Sequence, residues 1–342
     1  MATPMINTRI FLHVVRLLDD VASRSVIDRA LRTAGLSREV LTGEPGFLPF
    51  ATEAVFAEAV ARATGERHIG VVVGEKFRHR ALGWHSNYVL SATRLGGALA
   101  RARRGLPLLH PGCAVTLRDT GSHVVLGVDT RVRHVNGAQH LDETIPFVLL
   151  DLARHYLGEA WTPDWVEATT KRVPDRTALE DRFGSNVWIA MDLPGIALRK
   201  TDLAARNPEP PEGSAHVVLN DLPRLMGLAP PQSVADEVRL IMQVQLIDGD
   251  LSVDTIARNL ATGVRSLQRA LQAEGTSFRD VQQQFLKERA TTLLAESDLT
   301  VQEIAHILGY DGSDSFRRAF VRWTGMPPSH YAHCQDSSSS SD

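Results

Sequence analysis

Apolar residues in the last third of the chain form two short runs at helical spacing, and both runs follow the same plan. Each run begins after a hydroxyl residue that can cap a helix, Ser252 in the first run and Thr300 in the second. Thr300 and Glu303 also have the spacing of a capping box, in which each side chain accepts a hydrogen bond from the other residue's backbone N–H. The predicted buried stripes are Ile256, Ala257 and Leu260 in the first run and Ile304, Ala305 and Leu308 in the second.

Each run is followed by a break and then by a second short helix with a basic face. The first break is the sequence 261–263, and the second begins at Gly309, where glycine suits the left-handed geometry that ends many helices. Two short helices joined by a tight turn, the second with a polar and basic free face, are typical of a helix-turn-helix. The predicted buried residues of the second helices are Val264, Leu267 and Leu271 in one copy and Phe316 and Phe320 in the other.

A connector at 277–296 separates the two copies. It contains neither proline nor glycine, and its apolar residues lie on one helical stripe. One helix of this length spans roughly 30 Å, and successive turns of a DNA duplex lie about 34 Å apart. The pattern therefore predicts an all-α C-terminal domain in which a rigid helix holds two DNA-reading helices at neighbouring turns.

The first two thirds of the chain have mixed periodicity, which predicts an α+β domain. Turn residues at 119–122 separate two strand-like segments and indicate a hairpin. The predicted helices are 8–32, 52–64, 91–104, 141–157 and 176–183. The predicted strands are 114–118, 123–128, 165–170, 186–191 and 195–199.

The length of 342 residues suggests two domains. Prolines between Asn207 and Gly213 stiffen an extended segment and make it the best linker candidate. The predicted division is an effector-binding and dimerisation domain at 8–205, a linker at 206–232, a DNA-binding domain at 233–333 and a disordered tail at 334–342.

The charge pattern does not follow the usual basic footprint of a DNA-binding domain. From 234 to the start of the tail the chain carries ten cations and thirteen acids. The cations nevertheless stand alone between Asp254 and Glu274, and again after Asp314 until the tail. We therefore expect weak non-specific DNA binding with a shallow salt dependence, and a dimer or a partner that raises the affinity.

Composition argues against several other kinds of protein. There is no apolar run of membrane-spanning length, and the N-terminus lacks the basic start and cleavage site of a signal peptide, so a cytoplasmic protein without membrane association is expected. Cys113 and Cys334 are the two cysteines, and neither has a metal-ligand spacing. We predict no metal, no cofactor and no catalytic residues, although four histidines lie in the same region as Cys113. They are His110, His123, His134 and His140.

The C-terminal motifs resemble those of the AraC/XylS family of transcription regulators. The resemblance lies in LQRAL in the first copy and in IAHILGY followed by SFRRAFVRWTGMPPSHY in the second, at the separation that the connector imposes. The segment that begins ALGWHSNYVLSATRLGG and the one that begins WVEATTKRVPDRTALEDRFG are similar to the N-terminal effector domain of one branch of that family. This branch includes regulators of ornithine and fatty-acid metabolism, and its domain differs from the cupin-like sugar domain of the arabinose regulator.

The resemblance implies that the second helix of each copy enters a major groove. Arginine can pair with guanine and glutamine with adenine through two hydrogen bonds each, although half or more of such contacts go to phosphates. Asp314 could accept from cytosine, but a role as the cap of its helix is favoured. The base-reading candidates are Arg265, Gln268 and Arg269 in the first copy and Ser313, Asp314, Arg317 and Arg318 in the second.

The N-terminal region offers candidates for an effector pocket and for a dimer face. Trp84, His85 and Tyr88 could line a pocket, because aromatic walls with a few polar groups suit small ligands, and simple packing is the alternative. The apolar stripe that runs from Ile145 to Tyr156 is either core or a dimer face, and we favour the core.

The sequence therefore predicts a transcription regulator, an activator by family tendency, that binds double-stranded DNA under the control of a small-molecule effector. A homodimer is expected, and RNA polymerase is a further candidate partner. One alternative is a constitutive DNA-binding protein whose N-terminal half only dimerises. Another is an enzyme with a DNA-targeting module, for which the chain offers no matching cysteine or metal motif.

Overall fold

A computed structural model describes residues 3–210, 217–246, 250–296 and 299–331 of the chain. Contacts between Cα atoms divide the chain into two units, Met1–Pro230 and Pro231–Asp342. The predicted tail at 334–342, with Cys334, lies outside the described residues, as does 211–216 of the predicted linker.

The first unit contains ten of the α-helices and all of the strands that the described residues form. Its helices are α1 (Thr8–Asp19), α2 (Arg24–Thr33), α3 (Arg38–Thr42), α4 (Phe50–Thr64), α5 (Ile69–Lys76), α6 (Trp84–Leu90), α7 (Leu95–Leu109), α8 (Ala138–Leu157), α9 (Val173–Phe183) and α10 (Leu222–Met226). Its strands are β1 (Met5–Asn7), β2 (Phe47–Pro49), β3 (Ala114–Asp119), β4 (His123–Asp129), β5 (Trp165–Glu167), β6 (Asn186–Trp188) and β7 (Gly195–Arg199).

The larger sheet of this unit has five strands in the order β3-β4-β7-β5-β6. β3 and β4 form the predicted antiparallel hairpin, with Ala114 opposite Asp129, and the N–H of Gly121 donates to Asp119 Oδ1 in the turn. β7 then pairs antiparallel with both β4 and β5, and β5 pairs parallel with β6. β1 and β2 form a separate two-stranded sheet. The predicted α+β class is confirmed.

Helix α8 is the centre of the first unit, because it packs against α4 and α5 and also against β4 and β7. The approach of α5 to α8 is close enough to require glycine. A Cβ atom on Gly70 would lie 2.0 Å from the carbonyl oxygen of His140, and one on Gly74 would lie 2.4 Å from Phe147 Cδ2. The stripe that could have been core or a dimer face consists of Ile145, Leu149, Leu152 and Tyr156. Of these, Ile145 is half-buried, and the other three are buried within this unit.

The single helix predicted for 8–32 is wrong, because the chain breaks between Asp19 and Arg24. Ser23 has extended backbone angles there and is the N-cap residue of α2. One helix over this range would extend about 37 Å and would carry its second apolar stripe away from the core. The break instead lets α2 pack against α4, with Ile27 and Leu31 buried.

The second unit is all-α in its described residues, as predicted. Its helices are α11 (Val234–Gln245), α12 (Val253–Asn259), α13 (Val264–Ala273), α14 (Phe278–Glu296), α15 (Val301–Ile307) and α16 (Ser313–Thr324). α12 packs on α13, and α15 packs on α16. The connector α14 contacts α11 as well as α15 and α16, so the two helix pairs share a support made of α11 and α14.

The helix caps predicted at Ser252 and Thr300 are confirmed, and Ser233 caps α11 in the same way. The Ser233 hydroxyl accepts from the N–H of Asp236 at 3.0 Å, and that of Ser252 accepts from the N–H of Thr255 at 3.3 Å. The capping box is complete, since Thr300 Oγ1 accepts from the N–H of Glu303 at 3.2 Å and Glu303 Oε2 accepts from the N–H of Thr300 at 2.7 Å. These bonds define the start of the first helix in each pair, because they satisfy backbone donors that have no partner within the helix.

The two helix-turn-helix turns end their first helices with the same hydrogen bonds. In the first, the N–H of Thr262 donates to the carbonyl of Ala257, and in the second the N–H of Tyr310 donates to that of Ala305. The residue before each donor is left-handed, with φ of 75° at Gly309 and 51° at Ala261. Both turns are therefore of the Schellman type, but the first has a Cβ atom at the position that favours glycine.

The predicted linker at 206–232 is not uniformly extended. Arg206 forms a β-bridge with Arg94, the Asn207 side chain donates to the carbonyls of Leu90 and Ala92, and α10 packs against α6 and α7. These contacts lie within the first unit. The domain limits given by the sequence stay predictions.

We expect Ala261→Gly to stabilise the second unit by about 0.5–1 kcal/mol. Alanine in the left-handed region costs about 1–2 kcal/mol, and glycine removes this strain. Glycine is also more flexible in the unfolded chain, and the entropy it loses on folding offsets part of the stabilisation. Calorimetry of the full-length chain measures the effect as a higher Tm for the transition of this unit.

The matched control is Ala270→Gly, in the right-handed interior of α13. There the same exchange is expected to cost about 1 kcal/mol. A loss of similar size at Ala261 would contradict the left-handed assignment.

Candidate nucleic-acid interface and effector unit

Helices α13 and α16 correspond residue by residue. Each follows an N-cap glycine, Gly263 in the first pair and Gly312 in the second. Counting from these caps, Arg265 and Asp314 occupy the same position, and two exposed residues of the next turn occupy the same positions in both helices. That pair is Gln268 and Arg269 in α13, and Arg317 and Arg318 in α16.

Helix α13 has one buried face and one face open to solvent. Leu267 and Leu271 are buried one turn apart, and Arg265, Gln268 and Arg269 are exposed. Neither arginine has an ion-pair partner among the described residues. Their guanidinium groups are therefore available to an external anion or hydrogen-bond acceptor.

Helix α16 has the same division. Phe316 and Phe320 are fully buried, and Arg317 and Arg318 are exposed. The predicted capping role of Asp314 is wrong, because the N-cap residue is Gly312 and no side chain caps the helix. Asp314 is exposed instead, and its Oδ1 lies 3.5 Å from Arg317 Nη1. Ser313, the remaining candidate, is half-buried at the first position of the helix.

The acids of the second unit lie mainly at helix N-termini. Asp236, Asp280 and Glu303 are each in the first turn of a helix, where the exposed backbone N–H groups favour negative charge. Glu274, at the end of α13, accepts from the N–H groups of Val234 and Ala235 at 2.7 and 3.1 Å. Much of the negative charge is thus used inside the unit, and five of the ten cations lie on α13 and α16.

The three aromatic residues predicted for an effector pocket lie on α6 in different surroundings. Trp84 is 43% exposed, whereas His85 and Tyr88 are 2% and 4% exposed and pack closely on Gly105 of α7. The Arg101 guanidinium lies 5.3 Å from the centre of the Tyr88 ring. None of the three lines the polar cleft or the apolar cavity described next, so their assignment to an effector site stays a prediction.

A polar cleft of about 760 Å³ lies between the ends of α4 and α9 and the first half of α8. Its polar groups mostly partner one another. Thr169 donates to Asp142 at 2.7 Å, Thr170 donates to Asp175 at 2.8 Å, and His68 Nδ1 lies 2.8 Å from Glu143 Oε1. Burial raises the pKa of Asp142 to about 6. A ligand would have to replace these internal bonds.

An apolar cavity of about 120 Å³ lies on the opposite side of α8, and sequence reasoning missed it. Its wall includes the buried carboxyl of Glu53 and the side chains of His110 and Cys113. A signal was present in the sequence, because Glu53 occupies the same helical face as Phe50 and Ala57. The cavity itself combines residues from distant parts of the chain, and no local pattern indicates them.

The histidines considered as metal ligands are spread over different surroundings. His110 lines the apolar cavity and His140 the polar cleft. His123 Nε2 lies 2.6 Å from Asp164 Oδ2 on the sheet, and His134 is exposed. Within the described residues, no group of three or more His, Cys, Asp or Glu side chains could hold a metal ion.

Among the helices of the described residues, none combines the length and the apolar composition that crossing a bilayer requires.

Comparison with known protein families matches both units. Residues 26–207 match the family described as the arabinose-binding domain of AraC transcription regulator, N-terminal. Residues 256–333 match a helix-turn-helix domain family. The first match covers more than half of the chain and supports the resemblance found in the sequence.

Three known proteins are similar to this chain over different lengths. The chain is 29% identical to the ornithine utilization regulator of Pseudomonas aeruginosa over 331 residues, which is 92% of this chain and 93% of that protein. It is 40% identical over 80 residues to the transcriptional regulator VqsM of the same organism, 23% of this chain and 25% of that one. The solved structure of the regulator CdpR from Pseudomonas aeruginosa aligns with 94% of this chain and 96% of its own at 22% identity and a TM-score of 0.38.

We expect Asp142→Asn to stabilise the first unit at pH 8 by about 1–3 kcal/mol and to have little effect at pH 4. The folded pKa of about 6 lies above the unfolded value of about 3.9, so stability is greatest below pH 4 and falls as pH rises through 6. Asparagine removes the cost of the buried charge and can still accept the Thr169 hydrogen bond. Calorimetric Tm values of both proteins across this pH range measure the difference.

Asp192→Asn is the control, because Asp192 lines the same cleft but is exposed. This variant should follow the wild-type Tm at both pH values. An equal rise in Tm at pH 4 and pH 8 for Asp142→Asn would show that the effect does not come from burial of an ionised carboxylate.

Proposed function

The chain belongs to the AraC family of DNA-binding transcription regulators, and from this premise we propose that a small-molecule effector controls its binding to two adjacent major grooves. The observation that carries the proposal is the residue-by-residue match of α13 and α16. Both helices bury an apolar face inside the unit and leave a polar and basic face outside. If these faces were only solvent-exposed surface, nothing would require the two helices to have buried and exposed residues at the same positions.

We assign base contacts to the exposed residues near the start of each reading helix. Arg269 and Arg318 occupy matched positions and have no ion-pair partner among the described residues, so each can form two hydrogen bonds to a guanine. Gln268 suits adenine in the same way, and Arg317 first has to leave Asp314. The proposed contact set is Arg265, Gln268, Arg269, Ser313, Asp314, Arg317 and Arg318.

The connector supports the use of neighbouring grooves. α14 has 19 residues and extends about 28 Å, close to one turn of the duplex at about 34 Å. It packs on α15 and α16 at the second pair, and Gln282 Nε2 donates to the carbonyl of Leu251 at the entrance to the first. We therefore propose that one chain covers two successive grooves on one side of the DNA.

We also propose that the regulator works as an activator in the cytoplasm, with a second copy of the chain and RNA polymerase as partners. The family tendency supports activation, and the DNA target supports the location. The small number of cations available for phosphate contacts supports a dimer, because affinity for DNA grows with each phosphate that is neutralised. The name of one relative refers to ornithine utilization, but effector chemistry has to follow from the residues of this chain.

We expect Arg269→Ala and Arg318→Ala each to weaken specific operator binding by about 1–3 kcal/mol, because each removes a paired contact with a base edge. Operator fragments are first selected from the genomic DNA of the host. Gel-shift titrations at one fixed salt concentration then give the affinities of the variants. Arg224→Ala, in the ion pair with Asp221 in the first unit, is the matched control and should bind as the wild type does.

Unchanged affinity in both reading-helix variants would overturn the contact assignment. An equal loss with operator and with random DNA would instead assign the two arginines to phosphates, since base contacts act on specific sites.

Insertion of five base pairs between the two protected grooves of the operator should abolish specific binding by one chain. Half a turn of DNA moves the second groove to the opposite side, where a single rigid connector cannot bring α16. Insertion of ten base pairs keeps the second groove on the same side of the DNA but moves it one turn further away. It should also weaken binding, because the connector is too short to span the added distance. Retention of full affinity with five added base pairs would contradict simultaneous contact.

A further inference from the structure

The apolar cavity of the first unit is lined by residues of the four helices α1, α4, α7 and α8 and of the strands β1 and β4. Ile10 and Val14 come from α1, Leu106 from α7, and Val148 and Leu149 from α8. Its volume is about 120 Å³. An apolar cavity of about 150 Å³ in a protein core can bind benzene, so this one has room for about five or six non-hydrogen atoms.

One carboxyl group faces this apolar space. Glu53 is 6% exposed, lines the cavity, and has no hydrogen bond or ion pair with any described residue. Buried carboxyl groups are normally paired, because an unpaired charge in an apolar environment is very unfavourable. Burial accordingly raises the pKa of Glu53 to about 8, so the group is mostly protonated at neutral pH.

The other titratable groups on the cavity wall are neutral as well. Burial lowers the pKa of His110 to about 3 and raises that of Cys113 to about 12. The Nδ1 atom of His110 is buried without a hydrogen-bond partner in the described part of the chain. Asp129, at the end of β4, also raises the pKa of Cys113, and Arg131, in the turn after it, lowers that pKa. The cavity therefore contains no cation that could pair with an anionic ligand.

We propose that this cavity binds a small primary alkylamine, whose ammonium group pairs with the Glu53 carboxylate while its alkyl chain contacts the apolar wall. The role of this ligand as the effector rests on the proposed function, but its binding does not. A single acid suits a single ammonium group. A diamine or an amino acid would leave a second charge without a partner among the apolar side chains.

Binding requires an exchange of protons that gives the site a characteristic pH dependence. The amine enters as the ammonium ion, Glu53 releases its proton to solvent, and the ion pair forms. Affinity should therefore rise about tenfold per pH unit below pH 8 and level off above it, because alkylamines keep their proton to about pH 10. A carboxylic acid bound beside protonated Glu53 would show the opposite dependence.

The experiment is isothermal titration of the full-length chain with n-butylamine at pH 6.5, 7.5 and 8.5. We expect the dissociation constant to fall about twentyfold across this range. n-Butanol has the same number of non-hydrogen atoms and no charge, so it should bind more weakly at pH 8.5 and without pH dependence. Ornithine and n-butyric acid are tested in parallel.

Three variants assign the binding to this cavity. Glu53→Gln keeps the size of the side chain and should remove the pH dependence and at least tenfold of the amine affinity. Glu159→Gln changes an exposed glutamate after α8 and should have no effect. Val148→Phe keeps Glu53 but fills the cavity, and it should abolish binding of both amine and alcohol.

Amine binding that is unchanged in Glu53→Gln, ornithine binding as tight as that of butylamine, or butyric acid binding that strengthens as pH falls would each overturn the proposal. Absence of amine binding at all three pH values would overturn it too. Gel shifts of the same preparation with operator DNA and no ligand separate this failure from failure of the proposed function. Specific DNA binding without amine binding rejects the cavity ligand alone, and amine binding that leaves operator affinity unchanged rejects its role as effector.

Discussion

The burial of short apolar stripes against the α11 and α14 support is the interaction on which the second unit depends. α12 and α15 have seven residues each, and isolated helices of that length are not stable in water. Each gains its stability by placing Ile256 or Ile304 in a core that its own pair cannot supply. α14 contributes Val281, Phe285 and Ala290 to that core. α13 and α16 are therefore held in position by this support, and their exposed residues can differ from one helix to the other.

The same support explains how a net-acidic unit can bind a polyanion. Acids such as Glu303 and Glu274 satisfy backbone N–H groups at helix starts, where negative charge is favourable and contributes to folding. Among the described residues, the arginines of α13 and α16 form no ion pair other than that of Arg317 with Asp314. The distribution of charge over the surface, and not its sum, decides where DNA can approach.

The helices of the second unit could be predicted well because the residues that determine their ends are close to those ends in the sequence. Caps at Ser252 and Thr300 and the glycine at 309 act within a few residues, so the sequence pattern predicts the helix starts and turns that the structure contains. The cap assigned to Asp314 was wrong because the N-cap residue is Gly312, two positions before Asp314. Much of the first unit depends on contacts between distant segments. The break after Asp19, the order of the sheet and the position of Glu53 in a cavity follow from packing partners that no local window contains.

The fixed correspondence between α13 and α16 has a consequence for the promoter. Matched positions carry different side chains, since Arg265 stands where the second helix has Asp314, and Gln268 where it has Arg317. Under the proposed contact of both helices with DNA, a site recognised by one chain differs between its two halves and lacks the palindromic symmetry of sites bound by identical subunits. Such a site has a direction, so its orientation relative to the transcription start determines which side of the bound regulator faces the start.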